Sequence, residues 1–315
     1  MTARTASQPP TVKFSLSYWV QNLMLRGLFG ALLMIPYRWR IPAAGWCVAR
    51  LVAPVAGYRT RVRENLARVM PEMPAEQRKV LEISVPNNVG RTLIEIYSGV
   101  EFVDQVKNTP VRGEGFEEVL LAQSKGKGVL LIAGHFGNYD VIRAVLAARG
   151  HPIGALFNPM RNPYFDAHYR KTIGAISQPM FARGRRGLAE LVQFLRKGGM
   201  VGMMIDQHMP KGSDLTFFGQ VARTALSAAE MAIKYDLLLV PVNAIRQPDG
   251  IGFEILVEKP IPHGDPVAMT QALNDKLEAL IRRYPAQWFW LHRRWRWKYD
   301  KPDAPGSRAP LPPQE

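Results

Sequence analysis

His135 and Asp140, within Gly134-His-Phe-Gly-Asn-Tyr-Asp140, are the side chains whose types and spacing point most directly to chemistry. A histidine held by a carboxylate suits general-base catalysis. Imidazole titrates near neutral pH, and the carboxylate fixes its tautomer and stabilises the imidazolium formed when a proton is taken. On one continuous helix the offset between the two would turn Asp140 roughly 140° away from His135. They can therefore meet only if His135 stands on a turn outside the helix, and Gly134 and Gly137 permit such a turn. No nucleophile accompanies the pair: the chain has no Gly-x-Ser-x-Gly, and its single cysteine, Cys47, lies in a hydrophobic N-terminal segment. The simplest role is activation of a substrate's own hydroxyl for direct attack on an acyl donor. A loop histidine, with Asp140 complementing a helix dipole, is the competing account of so short a pattern.

The elements that must position His135 are legible around it. Val129 to Ala133 is apolar without alternation, which predicts a strand buried on both faces, as in a parallel sheet covered by helices. His135 follows its end, where ligands bind in open α/β sheets. Beyond it, Asn138 is a candidate helix cap, Ile142, Val145 and Leu146 recur at helical spacing, and Arg149-Gly150 marks the stop. A strand over 153–157, a helix after Asn162-Pro163, a basic turn with Arg183, Arg185 and Arg186, a helix over 188–197 and a buried strand over 200–205 follow. This alternation predicts an α/β fold with a mostly parallel central sheet flanked by helices. Asp206-Gln207 ends the last of these strands, so Asp206 and His135 could share one crevice; a carboxylate that only caps its loop is the alternative. Further on, the pattern predicts a helix capped by Thr224 and running to Lys234, a strand over 237–242 with a hairpin partner over 252–257, and a helix from Asp265-Pro266 to Arg283.

The block Gly134–Asp140 resembles the His-x4-Asp/Glu block of the lysophospholipid acyltransferase superfamily, specifically of the lipid A late acyltransferases of lauroyl/myristoyl type. Five further blocks stand in that family's order: Asn162-Pro163 with Asp166, Arg183-Gly-Arg-Arg-Gly-Leu188, Asp206-Gln207, Phe217-Phe-Gly219 with Thr224, and Pro285-Ala-Gln-Trp-Phe-Trp-Leu-His-Arg-Arg-Trp295. The resemblance implies an O-acyltransferase with His135 and Asp140 as its catalytic pair. Asn138, Arg161, Arg183, Arg185, Arg186, Asp206 and Gln207 become the candidate substrate-binding residues. It further implies acyl carrier protein, or acyl-CoA, as donor, a phosphorylated glycolipid (a lipid A precursor) as acceptor, and the cytoplasmic face of a bacterial inner membrane as location. Arginine forks bind phosphate in a bidentate way, which suits residues 183–186 to the acceptor or to a carrier's phosphopantetheine; a solvated basic loop is the alternative. Many members read Tyr-Arg-Pro ahead of the Asn-Pro pair, whereas here Phe157-Asn158-Pro159 lacks the arginine and Arg161 is its nearest replacement.

The 41 Lys and Arg against 26 Asp and Glu leave a formal charge of +15, which calls for an anionic partner such as a membrane surface, a phosphorylated lipid or an acidic carrier protein. A basic nucleic-acid or membrane-surface binding protein without catalysis is the rival class, and nucleic acid is not the expected partner because charge alone would not place a histidine at a strand end. A lysophospholipid, an aminolipid or a glycosylated phosphoinositide is the rival acceptor. The six histidines lack ligand spacing, so no metal and no cofactor is expected. Residues 1–13 and 302–315 read as disordered, 14–58 as a hydrophobic membrane-associating helical segment, and 59–301 as the acyltransferase domain with a helical beginning. In the anchor, Trp19, Tyr37 and Trp39 are expected at headgroup level with Arg38 and Arg40 outside. A spanning helix, a signal peptide and an ordinary packed helix compete with that reading. In residues 75–101 Pro86 is expected to kink or divide a helix. Trp288 to Trp297 mixes aromatic and basic residues in a way that suits base stacking and a membrane-interface belt equally.

Overall fold

The apolar run Val129–Ala133 is a strand, and its first four residues are at most 2 % exposed. The computed structural model describes residues 15–295. In chain order the strands are β1 (Val111–Arg112), β2 (Val129–Ala133), β3 (Ile153–Phe157), β4 (Met180–Ala182), β5 (Met200–Met204), β6 (Ser213–Phe217), β7 (Gln220–Thr224), β8 (Leu238–Arg246) and β9 (Phe253–Val257). Seven of them form a sheet in the order β1-β9-β8-β2-β5-β3-β4, while β6 and β7 make a separate hairpin. β8, β2, β5, β3 and β4 are mutually parallel; β9 runs against β8 and carries β1 parallel to itself. The sheet is thus mixed but mostly parallel. Alternate residues of β2 feed different cores. Val129 and Leu131 join the cluster that includes the helix Val141–Ala148, and Leu130 and Ile132 join the cluster of the helices Arg185–Arg196 and Ser227–Lys234.

The connections locate the crevice. From β2 the chain passes beyond β5 to β3, and from β5 it travels the other way, past β2 to β8. Adjacent strands whose exits diverge leave an opening between them at their carboxyl ends, the topological switch point where α/β sheets bind ligands. The register makes that opening sharper. Ala133, the last residue of β2, pairs with Met204, the last of β5, so His135 and Asp206 leave their strands at the same level.

Several boundaries depart from expectation for identifiable reasons. The helix predicted to start at residue 188 begins at Arg185, which moves Arg185 and Arg186 from a loop onto a first helical turn. Thr224 does not cap the next helix; it ends β7, and the helix is Ser227–Lys234. The β6–β7 hairpin occupies a stretch where no strands were expected. Pro86 does not divide its helix, which runs unbroken over Ala75–Tyr97. The caps at Asn162 and Asp265 form as the sequence implies, each side chain accepting from backbone N–H groups of the first turn.

The N-terminal segment forms the helices Leu16–Leu33 and Tyr37–Cys47, a π-helical turn at Val48–Val52, and a short helix at Ala53–Val55. No single helix among the described residues is long and apolar enough to cross a membrane; one bent pair, Tyr37–Val55 with Tyr58–Val69, is a weak candidate. Tyr37, expected at headgroup level, and Arg40, expected outside it, are buried instead. Arg40 is 1 % exposed, donates to the Leu33 carbonyl at 2.8 Å and pairs with Glu101. Trp39, Trp46, Leu51, Val55, Met24 and Met34 are exposed. The tail expected beyond residue 301, the N-terminal stretch 1–13 and the basic aromatic residues after Trp295 lie outside the described residues.

Candidate active site

His135 stands on the turn that follows β2, outside the helix Val141–Ala148, as its spacing from Asp140 requires. Its ring is not held by Asp140. The Nδ1 atom lies 2.7 Å from Oδ1 of Asp206, and the His135 backbone N–H donates to Oδ2 of the same carboxylate at 2.7 Å. Trp288 Nε1–H also donates to that oxygen, at 2.8 Å. The expectation that Asp140 orients His135 is therefore corrected, and the reason is local. Asp140 stands at the N-cap position of the helix Val141–Ala148 without a side-chain capping bond, and Arg143, one turn on and buried, takes its carboxylate as a counter-charge while another guanidinium nitrogen donates to the Ser177 carbonyl at 2.8 Å. A buried guanidinium needs such a partner. The strand register meanwhile presents Asp206 to His135 directly.

Burial alone would raise the Asp206 pKa, but the His135 ring, its hydrogen bond and the nearby His292 overcome that penalty and hold the carboxyl well below the usual carboxylate range. An ionised Asp206 fixes the proton of neutral His135 on Nδ1 and leaves the Nε2 lone pair facing outward, the tautomer a general base needs. The His135 side chain is 15 % exposed, so that lone pair can be reached. Tyr139, Phe289 and His292 wall the ring, with centroids 5.4, 6.1 and 4.7 Å away. Burial and the positive charge that His135 carries when protonated push His292 down to about 4, with Asp206 opposing the shift and Arg294 adding to it, so it is neutral near pH 7. Arg294, fully buried, is pushed down to about 10 by burial, with Asp206 opposing the shift, and stays charged.

A buried polar frame supports the turn from beneath. Glu95, on the helix Ala75–Tyr97, accepts from Arg246 at the end of β8 and from Asn138 Nδ2 at 2.9 Å. The Gly137 carbonyl accepts from Thr92 Oγ1 at 2.7 Å, and Gly137 N–H donates to the Gln287 carbonyl at 2.9 Å. Gly137 has a φ of +55°, and a Cβ there would meet the Ala244 carbonyl oxygen at 2.0 Å, so only glycine fits. The C-terminal block closes the turn from its other side: Phe289 N–H donates to the His135 carbonyl at 2.9 Å, and Phe136 pairs with Trp288. Trp288, Trp290 and Trp295 are at most 3 % exposed and pack with Phe217 and Phe218 of the β6–β7 hairpin. They are core, not an interface belt.

The remaining candidates separate. Gln207 is exposed, with Nε2 at 3.4 Å from His135 Nε2 and 3.3 Å from His292 Nε2. Asn138 is fully buried with both ends of its amide engaged beneath the turn, so it is not a substrate contact; Asp140 rather than Asn138 occupies the N-cap position of the following helix, and Asn138 Oδ1 accepts the Asp140 N–H. Arg161, Arg183, Arg185 and Arg186 are exposed, and Arg186 also pairs with Glu190. Because β4, β3, β5 and β2 are parallel, Arg183 lies on the same rim as His135, three strands along, a spread of about 14 Å at the usual interstrand spacing. The fold brings these arginines to the rim of the site without bringing them to its centre. Glu95, Arg246, Asn243, His292 and Arg294 carry parts of the site that sequence reasoning did not assign. Only His292 and Arg294 had a signal, the block from Pro285 to Trp295.

A histidine–aspartate pair across the switch point of a mostly parallel sheet defines a base-assisted transferase or hydrolase. The chain belongs to the bacterial lipid A biosynthesis acyltransferase family, whose model matches residues 11–297, and it is an acyltransferase. It is 26% identical over 298 residues to the lipid A biosynthesis lauroyltransferase of Escherichia coli, covering 92% of this chain and 95% of that one. It is 25% identical over 282 residues to the phosphatidylinositol mannoside acyltransferase of Mycolicibacterium smegmatis, covering 80% and 90%. With the lipid A biosynthesis acyltransferase of Haemophilus influenzae it shares 24% over 284 residues, 88% of each chain.

Proposed function

We propose that this chain moves a fatty acyl group from an acyl carrier protein thioester to a hydroxyl of a lipid A precursor at a membrane surface, with His135 as general base and Asp206 as the carboxylate that orients it. The observation that carries this reading is the His135 Nδ1 to Asp206 contact at 2.7 Å, which leaves Nε2 as the free base at the switch point. The acceptor oxygen attacks the thioester carbonyl as Nε2 takes its proton. When the tetrahedral intermediate collapses, the C–S bond breaks and the departing thiolate recovers that proton.

Two features of the rim support the choice of partners. Arg183, Arg185 and Arg186 supply exposed positive charge for a phosphorylated acceptor or an acidic donor protein, which such a field would also steer. The exposed apolar helix Leu16–Leu33 is tied to the same rim, because Asn162 Nδ2, after β3, donates to the Tyr18 carbonyl at 2.8 Å. A helix presenting Leu16, Trp19, Leu23 and Leu28 to the outside suits contact with lipid beside the catalytic opening. The likeness to phosphatidylinositol mannoside acyltransferases favours a second reading, a mannosylated phosphoinositide acceptor handled by the same base.

The test offers acyl carrier protein and CoA thioesters against a lipid A precursor, a mannosylated phosphoinositide and a lysophospholipid, using detergent-purified protein. Transfer to the lipid A precursor should fall about 10²- to 10⁴-fold in His135→Ala. Product on the phosphoinositide alone selects the second reading. Undiminished turnover in the variant refutes His135 as the base.

A further inference from the structure

Acyl transfer places negative charge on the former carbonyl oxygen, and aimed hydrogen-bond donors stabilise it. Backbone amides of a glycine-containing turn commonly serve, but those of Gly134 to Gly137 and of Asp140 are occupied here. Gly134 N–H donates to Asn243 Oδ1 at 3.2 Å, His135 N–H to Asp206 at 2.7 Å, and Phe136 N–H to the Gly134 carbonyl at 2.8 Å. Gly137 N–H is taken by Gln287 and Asp140 N–H by Asn138 Oδ1 at 3.0 Å. Of the rim arginines, Arg161 follows β3, two strands from His135, and Arg183 follows β4, three strands away.

One side-chain donor stands at the reacting atom. Since His135 donates its Nδ1–H to Asp206, Nε2 is an acceptor, and Gln207, 3.4 Å away, turns its amide N–H toward it. The other amide hydrogen faces His292 Nε2 at 3.3 Å. Both contacts are long, and the side chain is exposed, so an incoming hydroxyl can displace it. Its backbone, by contrast, is fixed. Arg294 donates to the Gln207 carbonyl at 3.2 Å, to the Arg223 carbonyl at 2.8 Å and to Thr224 Oγ1 at 2.6 Å, which ties residue 207 to the β6–β7 hairpin.

We propose that Gln207 is the oxyanion donor of this enzyme, and that in the resting state its amide covers His135 Nε2 until the acceptor hydroxyl takes that place. The assignment rests on the acyltransferase reading above. As the acceptor oxygen bonds to the carbonyl carbon, its proton passes to Nε2 and the carbonyl π pair moves onto oxygen, where the freed Gln207 N–H meets it. Collapse restores the C=O bond, expels the thiolate and returns the proton to sulfur.

Steady-state kinetics of Gln207→Ala and Gln207→Glu, alongside the unsubstituted enzyme, test this. Gln207→Ala should lower kcat about 10²- to 10³-fold with KM within about twofold. Gln207→Glu keeps the length but sets a carboxylate against the oxyanion, and should be at least as slow. The urea midpoint should not move in either, because the side chain is exposed. A kcat within threefold of the unsubstituted enzyme overturns the assignment, as does a raised KM with kcat retained, which would make Gln207 a contact to bound substrate only. If the unsubstituted enzyme is silent with every donor and acceptor, the reaction and this assignment fall together; if it is active and Gln207→Ala equals it, the assignment falls alone.

Discussion

Replacing Asp206 by asparagine separates the two acids that the sequence and the fold offer to His135. In the native site one carboxylate oxygen accepts from His135 Nδ1, and the other accepts two N–H groups, from the His135 backbone at 2.7 Å and from Trp288 at 2.8 Å. An asparagine has one acceptor oxygen and must choose. If that oxygen faces His135 Nδ1, the amide NH₂ is driven against two buried donors, each costing about 1–3 kcal/mol unsatisfied. If the amide turns over, the oxygen keeps both N–H partners and the NH₂ faces Nδ1. The second arrangement loses less, and it forces the imidazole proton onto Nε2, where the base should be. The expected result is a kcat lower by about 10³- to 10⁴-fold, or roughly 4–5.5 kcal/mol of transition-state stabilisation.

Asp140→Asn should behave in the opposite way. It strips the counter-charge from buried Arg143 and should cost about 3 kcal/mol of stability, while kcat in the folded fraction stays within about tenfold. Acyl-transfer turnover and urea midpoints for both variants decide the matter. A 10³-fold loss of kcat in Asp140→Asn at an unchanged midpoint, with Asp206→Asn near full activity, would refute the assignment of Asp206.

Two further outcomes follow from buried charge. Arg246→Met leaves Glu95, which is 0 % exposed, without its cation; it should lower unfolding stability by about 3–5 kcal/mol, and the double variant Arg246→Met/Glu95→Leu should recover most of that in urea titrations. A single-variant loss below about 1 kcal/mol would show that the pair is not needed. His292 is held at about 4 when folded, against 6.5 ordinarily, so between those values the unfolded chain binds more protons and stability falls as pH falls. Asp206, whose folded value is depressed, contributes stability that is lost only below its ordinary range, outside that window. The loss from pH 7.5 to 4.5 should be roughly 2.5 kcal/mol and should shrink in His292→Gln. An equal loss in that variant would remove His292 as its source.

Much of the frame around His135 was legible because it rests on local rules. A five-residue apolar run without alternation, bounded by glycines, reads as a strand covered on both sides, and Asn162-Pro163 and Asp265-Pro266 cap helices by their own side chains. The identity of the carboxylate partner was not local. Asp206 is distant in sequence and meets His135 only through the pairing of Ala133 with Met204, a register that no spacing within one block encodes. The same holds for Glu95 and Arg246, which carry no signal in the sequence and become one buried pair only when the helix Ala75–Tyr97 packs under the turn. Tryptophans beside arginines are ambiguous for a related reason. Composition cannot say whether Trp288 and Trp290 face lipid or Phe217 and Phe218, and the hairpin that decides it was not foreseen.

The two acids of this site therefore act on different links of one chain of causes. Asp206 sets the tautomer of His135, and it does so because two parallel strands end together. Asp140 sets where the turn can go. At the N-cap position of the helix Val141–Ala148, it pairs with Arg143, which reaches the Ser177 carbonyl, while Ser177 Oγ bonds both the N–H and the carbonyl of Ile153 at the start of β3. The helix that follows the turn is thereby pinned to the strand it leads to. With Asn138 held by Glu95 beneath and Gln287 bonded to Gly137, His135 has little freedom left except at its ring. The spacing between His135 and Asp140 then follows from geometry: it is the distance from the turn that holds His135 to the N-cap position of the helix leaving it.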